Sequence, residues 1–232
     1  MLPIDAAKRL IDEYFPTCNA AVLAGSIVRG EGTATSDLDI VIFDESIQAS
    51  YRESLVKYEW MIEIFVHNLT SYQFFFEDDC KRGRPSLPNM VSEGIVLKDD
   101  GRLGRIRDEA NQLLRRGPRS WDKETVDLKR YFLTDLVDDF IGSTNRAEAL
   151  FIANSLAELS HEFVLRMNGY WTGSSKWIVR ALKKYDEVFA ERFVEAFDEY
   201  YRTDNKQKVI ALVDEVLEPF GGRLFNGFSL GK

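Results

Sequence analysis

Residues 21–43 read AVLAGSIVRGEGTATSDLDIVIF, and the fold follows from how this stretch is punctuated. Ala20 to Ala24 is a short apolar run that stops at Gly25, and Leu38 to Phe43 is a second run rich in β-branched residues. Both lengths suit buried strands. Between them stand Gly25-Ser26, ten further residues, and then Asp37-x-Asp39 at the opening of the second strand. At average residue usage this four-residue pattern arises by chance about once in several hundred chains of this length. The four residues are therefore read together as one site.

Residues two apart on a strand project to the same face, so Asp37 and Asp39 offer their carboxylates together while Leu38, Ile40 and Ile42 turn to the core. Two neighbouring carboxylates repel one another unless a cation sits between them. Hard oxygen donors in a small group suit Mg²⁺, which takes one or two carboxylates together with phosphate oxygens and water. Gly25 and Ser26 lie where the chain leaves a strand and begins a short helix. Backbone N–H groups at such a position can cradle a phosphate, and Ser26 adds a hydroxyl donor. Arg29, one turn on, can pair with a phosphate or brace the loop.

A third run, Trp60 to Val66, alternates: Trp60, Ile62, Ile64 and Val66 share one face, and Met61, Glu63, Phe65 and His67 the other. Glu63, the acidic residue within it, is either a third metal ligand or the base that takes a proton from an acceptor hydroxyl. A fourth strand is expected over Gly94 to Leu97, with helices over residues 4–14 and Ser71 to Cys80. Strands and helices interspersed in this way make a small α/β or α+β domain with a small mixed sheet.

Beyond Asp100, glycines and Pro118 punctuate an arginine-rich segment that reads as a helix followed by a linker. From about Trp121 helical periodicity takes over, first through Val126, Phe132, Leu136 and Phe140, then through Leu150, Leu156, Leu159 and Phe163, with further helices over 175–201 and 206–217. The expected division is an α/β domain over 1–117 and an all-α helical bundle over 118–232. Between helices, residues 168–176 form a polar, aromatic loop whose Lys176 can reach a phosphate. Asp135, Asp138 and Asp139 form an acidic cluster, read first as a solvated helix face. His67 and His161 are read as structural.

Hydrophobic residues make up 45% and charged residues 29% of the chain, the balance of a soluble globular protein. The net charge of −8 is spread evenly, with 15 basic and 19 acidic residues in 1–120 and the same numbers in 121–232. A protein that grips a long polyanion carries a basic stripe, so a long nucleic acid is not expected as partner. Cys18 and Cys80 match no metal or disulfide spacing, which suits a reducing compartment. The first residues carry regular charges, and no stretch approaches the roughly 20 apolar residues of a membrane span. A cytoplasmic protein with no membrane partner is expected.

At Gly25-Ser26, Asp37-x-Asp39 and Glu63 the chain resembles the nucleotidyltransferases of the DNA polymerase beta superfamily. It is most similar to the small bacterial branch, which includes kanamycin, lincosamide and streptomycin nucleotidyltransferases and the minimal nucleotidyltransferases. The motifs span about residues 19–67, and the helical half is matched in architecture alone. The resemblance implies that 1–117 is a nucleotidyltransferase domain in which Asp37, Asp39 and Glu63 are metal or catalytic carboxylates and Ser26 binds the triphosphate. It implies two Mg²⁺ ions and transfer of a nucleoside monophosphate, AMP from ATP in the expected case, to a hydroxyl of a small molecule such as an aminoglycoside or lincosamide antibiotic. The same motifs would serve a minimal nucleotidyltransferase antitoxin that modifies a protein partner, or an inactive nucleotide-binding module. Enzymes of this type often place their cleft near a dimer interface, so a homodimer is a further expectation.

Overall fold

A computed structural model describes residues 1–231. The chain divides into two compact units, the first Met1–Gly117 and the second beginning at Pro118.

The first unit opens with helix α1 (Pro3–Tyr14), then strand β1 (Ala20–Ala24), a single helical turn α2 (Gly25–Val28), and strands β2 (Leu38–Phe43), β3 (Tyr51–Lys57) and β4 (Trp60–His67). Helices α3 (Ser71–Arg82) and α4 (Ser86–Glu93), strand β5 (Ile95–Asp99) and helix α5 (Leu103–Arg116) complete it. The strands form one sheet in the order β3-β4-β2-β1-β5. Only β2 and β4 run parallel; the other pairs are antiparallel, so the sheet is mixed.

Both faces of the sheet are covered, which is why β1 and β2 read as unbroken apolar runs. On one face Ala21, Leu23, Leu38, Ile40, Ile42, Ile62 and Ile64 pack against Ala6, Ala7, Leu10 and Ile11 of α1. On the other, Ala20, Val22, Val41 and Phe43 meet Tyr72 and Phe76 of α3, Leu87 and Val91 of α4, and Leu103 and Ile106 of α5. The second face is the one on which Asp39 lies, two residues before Val41. Val41 is fully buried and Asp39 only half-buried, so the helices seal one end of this face and leave the other accessible.

Three elements differ from the sequence reading. Among the described residues there are five strands, not three or four: β3 was not expected, and β5 begins one residue later than Gly94 and runs on to Asp99. The third is α4, a short helix that carries Pro88 in its first turn, where a missing N–H costs nothing.

The second unit is helical throughout: α6 (Lys123–Gly142), α7 (Arg146–Met167), α8 (Trp177–Tyr185), α9 (Glu187–Thr203) and α10 (Gln207–Leu217), with a 3₁₀ turn at Glu218–Phe220. Asp122, Asn145 and Asp186 cap α6, α7 and α9 by accepting a backbone N–H. Leu133, Val137, Phe140, Leu156, Phe163, Phe197, Tyr200 and Val213 form its core. An α+β unit with a small mixed sheet followed by a helical bundle is the fold class read from the sequence.

No helix among the described residues is long and apolar enough to cross a membrane. Cys18 and Cys80 are both free and buried.

Candidate active site

Strand register assembles the site. In the parallel pairing of β2 with β4, Asp39 stands opposite Glu63. Asp39 is also opposite Ala24 of β1, and Glu63 opposite Ser54 of β3. One row across four strands therefore reads Ser54, Glu63, Asp39, Ala24, and Gly25 follows directly at its end. Directly paired residues share a face. Asp37, just before β2, joins the row: oxygens of Asp37, Asp39 and Glu63 all lie within 4.8 Å of one another.

Close approach of the backbone is built in at Gly25. Its φ is +81°, in the left-handed region, and a Cβ there would lie 2.0 Å from Oδ2 of Asp39. Only glycine lets the strand end come this near the carboxylate.

The electrostatics fit a cation. Burial, then the neighbouring charges of Asp37 and Glu63, push the Asp39 carboxyl up to about 6, and Arg29 and Arg52 offset part of that rise. Three carboxylate donors in one cluster could hold a hard divalent ion. Burial does most to raise Asp39, and the crowding of the carboxylates adds to it, the two effects that a bound cation would oppose.

At the other end of the site the turn α2 holds Ser26, whose hydroxyl donates to Oγ of Ser36 at 3.2 Å. Ser36 Oγ accepts the Thr33 N–H at 2.8 Å, and the Glu31 N–H bonds to the Ser26 carbonyl at 2.9 Å, so the loop folds back on the turn. With four residues, α2 is too short to carry a helix dipole, so what it offers a ligand is the Ser26 hydroxyl and individual backbone N–H groups. Arg29 is engaged by Glu31 at 3.1 Å and by Glu93 at the end of α4, which ties the loop to the helical layer.

Three polar residues at the site have no counterpart in the sequence reading. Ser36 stands next to Asp37 in a segment that reads only as a turn. Arg52 and Ser54 belong to β3. The Arg52 guanidinium meets Oε2 of Glu63 at 2.5 Å and lies over the Phe65 ring, 4.9 Å from its centre, while Ser54 Oγ is 3.5 Å from Oε1 of Glu63. Once β3 is placed, the pairing of Ser54 with Glu63 locates both.

Lys176 belongs to the second unit, where it stands immediately before α8. Asp138 pairs with Arg223 at 3.0 Å, and Asp135 and Asp139 are exposed on α6. His67 is buried between Phe43 and Phe75, and burial holds its imidazole down to about 4. Both ring nitrogens of buried His161 lie 3.0 Å from carbonyl oxygens, those of Ala157 and Gly173.

No family model matches the chain, and no curated protein matches it. Among solved structures the chain is similar to a nucleotidyltransferase-like protein from Exiguobacterium sibiricum 255-15, with 9% identity, coverage of 93% of this chain and 74% of that one, and a TM-score of 0.47. Likeness at that level leaves function to the residues themselves.

Proposed function

We propose that the protein is a divalent-metal-dependent nucleotidyltransferase, which moves a nucleoside monophosphate from its triphosphate to a hydroxyl of a small molecule. The observation that carries this reading is the convergence of Asp37, Asp39 and Glu63 within 4.8 Å, beside a strand end that only Gly25 can form.

Asp37, Asp39 and Glu63 would hold two Mg²⁺ ions, which supply Lewis-acid activation of the attacking hydroxyl and neutralise charge on the pyrophosphate leaving group. Ser26, Ser36 and backbone N–H groups of α2 bind the phosphates at one end of the row. Displacement at phosphorus is in line, so the acceptor enters from the other end, toward the edge strand β3. Arg29 fixes the cradle through Glu31 and Glu93. Most of the rate enhancement then comes from positioning and fixed charge.

The even, acidic charge balance supports a small acceptor over a polynucleotide. Survival of all three carboxylates in one cluster favours an active enzyme over an inactive binding module. ATP is taken as the donor and an aminoglycoside or lincosamide as the first acceptor class to examine.

The test is incubation with labelled ATP or GTP, MgCl₂ and a panel of hydroxyl-bearing small molecules, read by mass spectrometry for a nucleotidyl adduct. An adduct formed by wild type and absent with Asp37→Asn supports the proposal. Equal adduct formation by the variant contradicts it.

A further inference from the structure

The ion pair between Arg52 and Glu63 gives the carboxylate cluster an internal cation. We propose that Arg52 is a displaceable counter-ion of Glu63, holding the third carboxylate until a divalent metal takes its place. This rests on the reading of the cluster as a metal site.

Three observations carry it. First, the Arg52 guanidinium lies directly on the cluster, 2.5 Å from Oε2 of Glu63. Arg29, the other cation acting on Asp39, is engaged by Glu31 and Glu93. Second, the partners differ in freedom. The Arg52 side chain is 60% exposed on the edge strand β3, whereas that of Glu63 is 23% exposed on β4, between β3 and β2. An exchange therefore moves the arginine and leaves the ligand in place. Third, the guanidinium already rests on Phe65, its direct cross-strand partner. A stacked guanidinium keeps a favourable contact after Glu63 is released, so displacement does not strand the charge.

A metal that takes Glu63 as a ligand meets the positive charge of Arg52 on the same carboxylate. The metal-free cluster is thereby kept partly neutralised, and its affinity for a bare ion is held below that of three open carboxylates. Removing the guanidinium without changing the strand should unmask the third ligand.

The experiment is titration of Mn²⁺ into nucleotide-free protein, followed by the electron paramagnetic resonance signal of the free ion. Arg52→Gln is expected to bind Mn²⁺ about two- to fivefold more tightly than wild type, within the range for an ion pair of this exposure. The same substitution made on a Glu63→Gln background is expected to change affinity less than about 1.5-fold, since no pair remains to break. A gain of the same size in both backgrounds would show a distant charge effect and overturn the proposal. No gain in Arg52→Gln would overturn it as well. Asp39→Asn tests the underlying reading separately: Mn²⁺ binding at wild-type strength in that variant removes the metal site itself, whatever Arg52 does.

Discussion

Gly25 and Asp39 fit together so closely that the space of one missing methyl group is filled by a carboxylate oxygen: a Cβ on Gly25 would stand 2.0 Å from Oδ2 of Asp39. Gly25→Ala must therefore both strain a backbone at φ +81° and push the carboxylate aside. The strained backbone alone costs about 1–2 kcal/mol. Displacing a catalytic group by about 1 Å lowers the rate about 100-fold. Urea unfolding and single-turnover rates check the two effects, and an alanine variant of near-normal rate would refute the close approach.

Ser26 and Ser36 share one hydrogen bond at 3.2 Å, and in the proposed site both serve the phosphates. Ser26→Ala and Ser36→Ala are each expected to weaken nucleotide binding about two- to tenfold, the worth of one hydrogen bond, with little change in melting temperature. Isothermal titration with a non-hydrolysable triphosphate measures this. Undiminished affinity in both variants would take the serines out of the cradle.

Stability of the metal-free protein should fall as pH rises from about 4 to 6. The Asp39 carboxyl is held at about 6 in the folded chain against 3.8 as its ordinary value. Between those values the folded state binds more protons than the unfolded state. The contribution is thus fully present below 3.8 and lost as pH climbs to about 6, after which it is flat. Asp39→Asn removes the ionisable group, so the variant should show a flatter profile and, without metal, be more stable than wild type at pH 7 by about 1–3 kcal/mol. Urea midpoints between pH 4 and 8 decide it; parallel profiles would mean that Asp39 titrates normally.

In the helical unit the hydroxyl of Tyr200 is buried without a hydrogen-bond partner, beside the Phe140 ring at a centroid distance of 4.8 Å. Tyr200→Phe removes the polar atom and keeps the packing, and should stabilise the protein by about 1 kcal/mol. A loss of stability on thermal unfolding would show that the hydroxyl is satisfied.

The elements that were legible in the sequence are the ones buried on both faces or amphipathic. Strands β1 and β2 carry the limits read from their apolar runs, because central strands admit little else. Strand β3 was hidden because YRESLVK is an exposed edge with no clean alternation. The β3–β4 turn adds no signal either: Tyr58 and Glu59 both adopt positive φ, 53° and 69°, without the glycine or asparagine that usually marks such a hairpin. The same blind spot hid Arg52 and Ser54. Asp37 and Asp39 could be paired from strand period alone, and Glu63 from its place within a strand. The contact of Arg52 with Glu63 depends on cross-strand register, which no local pattern encodes.

The central claim, a metal site built from Asp37, Asp39 and Glu63 that serves a triphosphate, is tested most directly by thermal melting with MgCl₂ and ATP together. Wild type is expected to melt about 2–8 °C higher with both than with either alone, since a ligand bound only by the folded state stabilises it. Asp39→Asn is expected to lose that shift while keeping its fold. A variant that shifts as far as wild type would contradict the assignment of these carboxylates.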